Sequence, residues 1–312
     1  MKIGLDVLGG DYAPNSTISG AIAAQKVLKD GQRLVLIGDQ QDTIERLKSA
    51  GADPHNFDFV HAPDVIAMHE HPTKAITQKP NSSIAKGFDL LKNGDLDSFA
   101  SAGNTGAMLV GAIFSVKPIP GVLRPAIAAN IPKLKAGFGI LLDVGANADC
   151  KPEMLNQFAI LGSLYSEYVY GVENPKVGLL NIGEEEEKGN ILTIATYPLL
   201  KANTKINFIG NAEGRGIFTD STDVYVCDGF TGNVVLKLAE SFYGVTLKKE
   251  MKDEFFDRFN YERYGGSPIL GVNAPVIIGH GISTPEAIKN MVLHSRDMIE
   301  SKFIDKIKSA FN

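Results

Sequence analysis

Short runs of aliphatic and β-branched residues alternate with longer stretches of helical periodicity along almost the whole chain, the pattern of parallel strands joined by crossover helices. The apolar runs predict strands near 2–7, 33–38, 57–60, 97–101, 138–143, 176–181, 205–209, 223–227 and 275–279. Several, such as Gly139-Ile140-Leu141-Leu142 and Val276-Ile277-Ile278, are continuous instead of alternating, which suits strands covered on both faces. The intervals predict helices over 15–29, 40–50, 82–93, 105–116, 152–170, 190–201, 232–259 and 284–309. The last carries start signals: Ser283 and Thr284 as caps, Pro285 in the first turn, and Glu286 at capping-box spacing from Ser283. The expected fold is a three-layer α/β/α, Rossmann-like arrangement around a mostly parallel sheet, with 1–312 read as a single α/β domain.

Composition narrows the class. With 312 residues, 44% of them hydrophobic, the chain can bury a large core, which excludes disordered and fibrous readings. The longest apolar candidate, Gly106 to Val116, is bounded by Asn104, Lys117 and Pro118 and falls short of the ~20 residues of a membrane span. The opening Met1-Lys2-Ile3-Gly4-Leu5-Asp6 sets a carboxylate in the first apolar stretch and has no signal-peptide pattern, so secretion is not expected. Two distant cysteines, Cys150 and Cys227, suggest neither a disulfide framework nor a zinc cluster and fit a reducing cytoplasm. A net charge of −5 argues against broad nucleic-acid binding.

Candidate chemistry lies in glycine-bearing loops after strands, where open α/β sheets place ligands. Five stand out: 8–14, 101–107, 143–149, 181–190 and 228–233. Glycine lets backbone approach a ligand, and the free N–H groups of a following helix favour an anion. On that ground Gly103, Asn104, Thr105 and Gly106 are the leading phosphate-binding candidates. No GxxxxGK[ST] occurs, and no GxGxxG follows the first strand, so a dinucleotide site is not expected. Lys79 and Arg124 are further cationic candidates for the anion, each also readable as an ordinary surface residue. His280, just past the last strand, can serve as acid or base or pack against backbone. Asp143, Asp149 and Asp228 lack metal-ligand spacing, and no metal or cofactor is expected.

The ordered blocks Gly9-Gly10-Asp11-Tyr12-Ala13-Pro14, Ser101 to Ala107, Leu142 to Asn147 with Asp149 to Glu153, Asn181 to Glu185 with Lys188-Gly189-Asn190, Asn207 to Glu213, Cys227 to Asn233, and Tyr264-Gly265-Gly266 with His280-Gly281 resemble the bacterial phosphate acyltransferases. These act on acyl carrier protein and inorganic phosphate in phospholipid synthesis, and the resemblance covers nearly the whole chain. It implies a homodimer, a fold similar to the isopropylmalate dehydrogenase and phosphotransacetylase group, and an acyl phosphate product used by a membrane glycerol-3-phosphate acyltransferase. It points to Lys188 and Asn233 as catalytic, with Asn147 added to the phosphate or substrate contacts. The other reading of Lys188 is a counter-charge to Glu184 to Glu187, and of Asn233 a helix cap.

One stretch departs from the family. Leu238 to Tyr264 is short and charged where a longer amphipathic insertion is expected, so a dimer-forming protrusion over about 234–262 is a weaker membrane element than in relatives. Any peripheral membrane association is then expected through a partner. Lys248 and Lys249 in the stretch suit the acidic carrier protein. Two rival functions are a metal-dependent hydroxy-acid dehydrogenase on a similar fold and a non-catalytic scaffold that binds the carrier.

Overall fold

The computed structural model describes residues 1–311. Its first half runs β1 (Lys2–Asp6), α1 (Asn15–Gln25), β2 (Arg33–Gly38), α2 (Gln40–Ser49), β3 (Phe57–His61), α3 (Pro72–Gln78), α4 (Ser83–Asn93), β4 (Ser98–Ser101) and α5 (Thr105–Gly111), the last extended by a π-helical turn over Ala112–Val116. Then follow β5 (Ala126–Pro132), β6 (Phe138–Leu142), α6 (Pro152–Tyr170), β7 (Lys176–Asn181), α7 (Ile191–Ala202), β8 (Asn207–Glu213) and β9 (Val224–Val226). The chain ends with α8 (Gly229–Lys248), α9 (Glu254–Asp257), β10 (Ser267–Leu270), β11 (Val276–Ile278), α10 (Pro285–Glu300) and α11 (Phe303–Phe311).

Two compact units result. The first comprises Met1–Pro118 and Tyr261–Glu300, the second Ile119–Asn260 and the chain from Ser301 onward. In the first unit the strand order is β3-β2-β1-β4-β11-β10. All neighbours are parallel except β10 against β11. The chain moves outward from β1 to β3, then returns across β1 to β4; right-handed crossovers place the helices before and after that reversal on opposite faces. Both faces are thus covered, and Leu34, Leu36, Ile37 and Phe99 are fully buried, each such side chain contributing about 1.5–3 kcal/mol relative to exposure.

In the second unit the order is β5-β6-β9-β7-β8, with β5 antiparallel to β6 and the other pairs parallel. Helix α6 packs on β6, β9 and β7, while α8 packs on β5 and β6. Phe158, Tyr165 and Tyr225 are among the fully buried side chains there.

The mostly parallel α/β reading holds, and its misses are specific. The two antiparallel strands, β5 and β10, are absent from the predicted set. Their sequences are AIAANIP and SPIL; the first is rich in Ala and both carry Pro, residues depleted in strands. Helix α3 lacks an apolar stripe; its one signal is Pro72 in the first turn. The single helix expected over 232–259 ends at Lys248, close to Glu250 in the left-handed region (φ 53°), and resumes as α9. There Phe242, Phe255 and Phe259 gather edge to face around Phe218, and Phe256 packs edge to face on Phe242. The helix expected over 284–309 breaks at Lys302, also left-handed (φ 53°), between α10 and α11. Its cap is Thr284, which accepts from the Ala287 N–H; the Ser283 hydroxyl turns back to the His280 carbonyl instead, so the box with Glu286 does not form.

Candidate functional site

The second unit holds a cavity of about 730 Å³ at the carboxyl ends of β7, β8 and β9, in the range of small-molecule sites. Leu155, Leu180, Ile182 and Val235 form apolar wall, and Cys227 lies at its base. The polar lining comes from strand ends and helix starts: Asn181, Asn190, Thr193, Glu213, Asp228 and Thr231. Two of these are caps. Asn190 accepts from the Thr193 N–H while the Thr193 hydroxyl accepts from the Asn190 N–H, a reciprocal box. Asp228 accepts from both the N–H and the hydroxyl of Thr231.

Lys188 directly precedes Gly189 of the cavity lining. It is exposed, and its ammonium makes no ion pair among the described residues. Its carbonyl accepts the Asn181 side-chain amide at 3.0 Å. Gly189 follows at φ 113°, where any Cβ would strike the Thr193 hydroxyl and the Asn181 amide. Only glycine allows this strap to lie so close to β7.

Asn233 sits elsewhere on α8. Its place as a helix cap is taken by Asp228, and Asn233 falls inside the helix. Two residues beyond Thr231, at 3.6 residues per turn, it points about half a turn away from the cavity lining and lies beside Gly145. The 143–147 loop is built around the buried Asp143. That carboxylate accepts from the N–H groups of Ile127, Ala146 and Asn147 and from the Asn147 side chain. The remaining amide hydrogen of Asn147 goes to the Pro125 carbonyl at 2.8 Å. Both amide hydrogens of Asn147 are thus engaged within the loop. Arg124 is exposed just before Pro125, and no ion pair holds it among the described residues.

Both thiols are protonated near neutrality. Burial, then the Asp143 charge, pushes Cys150 up to about 12, and burial raises Cys227 well above the ordinary thiol range. Neither is poised as a nucleophile.

The remaining predicted residues belong to the first unit. There the turns after β1, β4 and β11 meet along one rim: Asp11 N–H donates to the Gly281 carbonyl at 2.7 Å, and a Cβ on Gly279 would touch Ala102. His280 thus joins the Gly103 loop. Beneath them Asp6, fully buried, accepts from the Leu8 N–H and the Ser101 hydroxyl, which in turn accepts from the Gly103 N–H. Burial raises the Asp6 carboxyl above the ordinary range against these bonds. A small cavity of about 130 Å³ opens above it, against residues 65–68.

Two candidates here are structural. Asn104, 4% exposed, caps α5 through the Ala107 N–H and donates to the carbonyls of Ala67, Met68 and Glu70. Its side-chain amide anchors a loop. Lys79 bonds the Val65 carbonyl and pairs with Glu70 at 2.7 Å; that pairing, foremost, holds the Glu70 carboxyl below its usual range. Lys79 ties down the same loop. Thr105 is exposed, and Gly106 admits Pro72 against α5.

The polar lining residues Asn181, Asn190 and Asp228 fall in the loops 181–190 and 228–233 that the sequence marks, though none was named there as a substrate contact. Their signal was present, an Asn or Asp at a strand end or directly before a helix.

The chain matches, over residues 1–306, the family described as Fatty acid synthesis protein. It is 45% identical to the phosphate acyltransferase of Desulforamulus reducens, covering 99% of this chain and 97% of the relative. The chain belongs to the phosphate acyltransferase family. A second member, from Pelotomaculum thermopropionicum, is 43% identical over 99% of this chain and 95% of its own. Among solved structures the fold is similar to the EutD phosphotransacetylase of Staphylococcus aureus, with a TM-score of 0.67 at 16% identity over 96% of this chain and 94% of that one. A phosphotransacetylase from Streptococcus pyogenes gives 0.68 at 14% identity, again over 96% and 94%. The family reading of the loops and the phosphotransacetylase-like fold are both borne out, and the enzyme class is acyltransferase.

Proposed function

We propose that this protein transfers a fatty acyl group from the thioester of acyl carrier protein to inorganic phosphate, giving acyl phosphate for phospholipid synthesis. The full-length similarity to phosphate acyltransferases carries this reading. A phosphate oxygen attacks the thioester carbonyl carbon, and the carbon–sulfur bond breaks. The electron pair departs on sulfur as a thiolate, which takes its proton from solvent; with a thiol pKa of about 8.5 it needs no strong acid. What the reaction needs is donors and positive charge for the dianion and the passing oxyanion.

Lys188 supports that role as an exposed cation held next to the cavity lining by Asn181 and Gly189. Asn233 beside Gly145, with Arg124 near the same loop, supplies further donors. The Gly103 to Gly106 turn and His280 offer a second set of phosphate contacts along the first unit's strand ends. We further read the protein as a cytoplasmic homodimer that hands its product to a membrane glycerol-3-phosphate acyltransferase. Among the described residues no helix is long and apolar enough to cross a membrane, so membrane proximity would come through that partner.

The test is purified protein incubated with acyl carrier protein thioester and phosphate, with acyl phosphate followed by mass and thiol release by colour. Wild type turns over, and Lys188→Ala loses about 10²–10³ in kcat, the scale of one transition-state donor. Thiol release that does not depend on phosphate would remove the proposal.

A further inference from the structure

Asp6 ends β1 and Ser101 ends β4, the neighbouring strands at which the strand order of the first unit reverses. In open α/β sheets ligands enter the crevice left at such a reversal, beyond the carboxyl ends of the strands. Here a side-chain bond spans that crevice. The Ser101 hydroxyl donates to the Asp6 carboxylate at 2.6 Å and accepts from the Gly103 N–H at 2.9 Å. The same carboxylate accepts from the Leu8 N–H at 2.9 Å, from the Gly9 N–H and from the Ser83 hydroxyl. Donors from three segments, the turn after β1, the end of β4 and the start of α4, therefore meet on one buried acid.

Packing leaves the cluster little slack. A Cβ on Gly9 would lie 2.5 Å from the Asp6 carboxylate and 2.7 Å from both the Ser101 hydroxyl and the Gly103 nitrogen, so only glycine lets this turn close over the cluster. The groups that bear on Asp6 are hydroxyls and backbone N–H groups, with no cation among them. An uncompensated buried carboxyl is a poor stabiliser, and an apolar residue at the end of β1 would serve stability better. Acids buried in a cleft are instead frequent at functional sites. The cavity of about 130 Å³ beside Asp6 is lined by Gly9, Gly10 and Gly103 of the two turns that the cluster joins.

We propose that Asp6 is a positioning residue for the phosphate acceptor: through Ser101 it fixes the Gly103 turn against the Gly9-Gly10 turn and sets the width of the crevice between them. The inference rests on the acyltransfer reading and deepens it by naming the pair of side chains that shapes the first unit's phosphate contacts. Asp6 acts through Ser101, its own acceptor positions being taken up by donors of the fold. The Ser101 link alone reaches the Gly103 turn; the Ser83 bond reaches α4 instead.

Replacing Asp6 would change charge and position together, so the experiment cuts its two hydroxyl bonds singly, with Ser101→Ala and Ser83→Ala at two buried serines. Binding of inorganic phosphate to the full chain is measured by calorimetry, and steady-state kinetics follow with acyl carrier protein thioester. Ser101→Ala is expected to weaken phosphate binding about tenfold and to raise the KM for phosphate as much, with the KM for thioester unchanged. Ser83→Ala is expected to lower the melting temperature comparably while phosphate affinity stays at the wild-type value. Equal weakening in both variants, or unchanged phosphate affinity and KM in Ser101→Ala, overturns the inference and leaves the cluster a matter of stability alone. Phosphate binding that responds as expected in a protein that turns over no thioester sinks the acyltransfer reading and keeps the positioning role. A wild type that neither binds phosphate nor turns over ends both.

Discussion

Asn181, the last residue of β7, donates its side-chain amide to the Lys188 carbonyl at 3.0 Å. One hydrogen bond therefore fixes the strap that carries the proposed catalytic cation to a strand of the sheet. Asn181→Ala should lower kcat about tenfold or more, because small displacements of a positioned group cost heavily. The effect should vanish when the substitution is made on a Lys188→Ala background, a non-additivity that steady-state kinetics of the double mutant would reveal. Equal losses on both backgrounds would show that Asn181 acts independently of Lys188.

Asn104 serves one unit's architecture in two ways, as cap of α5 and as clasp for the 67–70 loop. Asn104→Ala should cost about 2–4 kcal/mol, the sum of a lost cap and several buried hydrogen bonds. Asn104→Ser should recover about 1 kcal/mol of it by restoring the cap alone. Urea unfolding midpoints for the three proteins decide the matter.

His294 on α10 is fully buried, and burial pushes its pKa down to about 4 against the opposing backbone hydrogen bond at Tyr264. The unfolded chain, with an ordinary histidine near 6.5, takes up a proton that the native state refuses. Its contribution to stability is thus complete above about pH 6.5 and is lost as pH falls toward 4. Between about pH 6.5 and 5 that loss amounts to about 2 kcal/mol. A His294→Gln variant should show a correspondingly flatter decline in unfolding free energy over the same interval, and parallel curves would contradict the assignment.

Because burial keeps Cys150 and Cys227 protonated, acyl transfer should proceed without an acyl-enzyme on sulfur. Intact-protein mass after mixing with acyl thioester in the absence of phosphate should show no acyl adduct. Initial-rate patterns should intersect instead of running parallel. A stable adduct on either cysteine would reverse this view.

Much of the α/β alternation was legible because parallel strands covered on both faces are written as continuous apolar runs, as in RLVLIG of β2 and FGILL of β6. Helix starts were legible where a cap or proline marks them, as at Ser82 and Pro152. The antiparallel β5 and β10 were not, since alanine and proline carry no strand preference and their place is set by partners distant in sequence.

The same division runs through the chemistry. Residue order alone determined the family and the loops that carry its motifs, because glycine, asparagine and aspartate at strand ends reflect local backbone demands that any copy of the fold must meet. Which side chains remain available for chemistry was decided only in three dimensions. Asn104, Lys79 and Asn147 have the right chemical groups, yet each engages them with backbone or a neighbouring carboxylate, whereas Lys188 is left exposed beside the cavity-lining Gly189. A donor engaged within the fold has less to offer a ligand, and its partner is chosen by packing between segments that no local pattern connects.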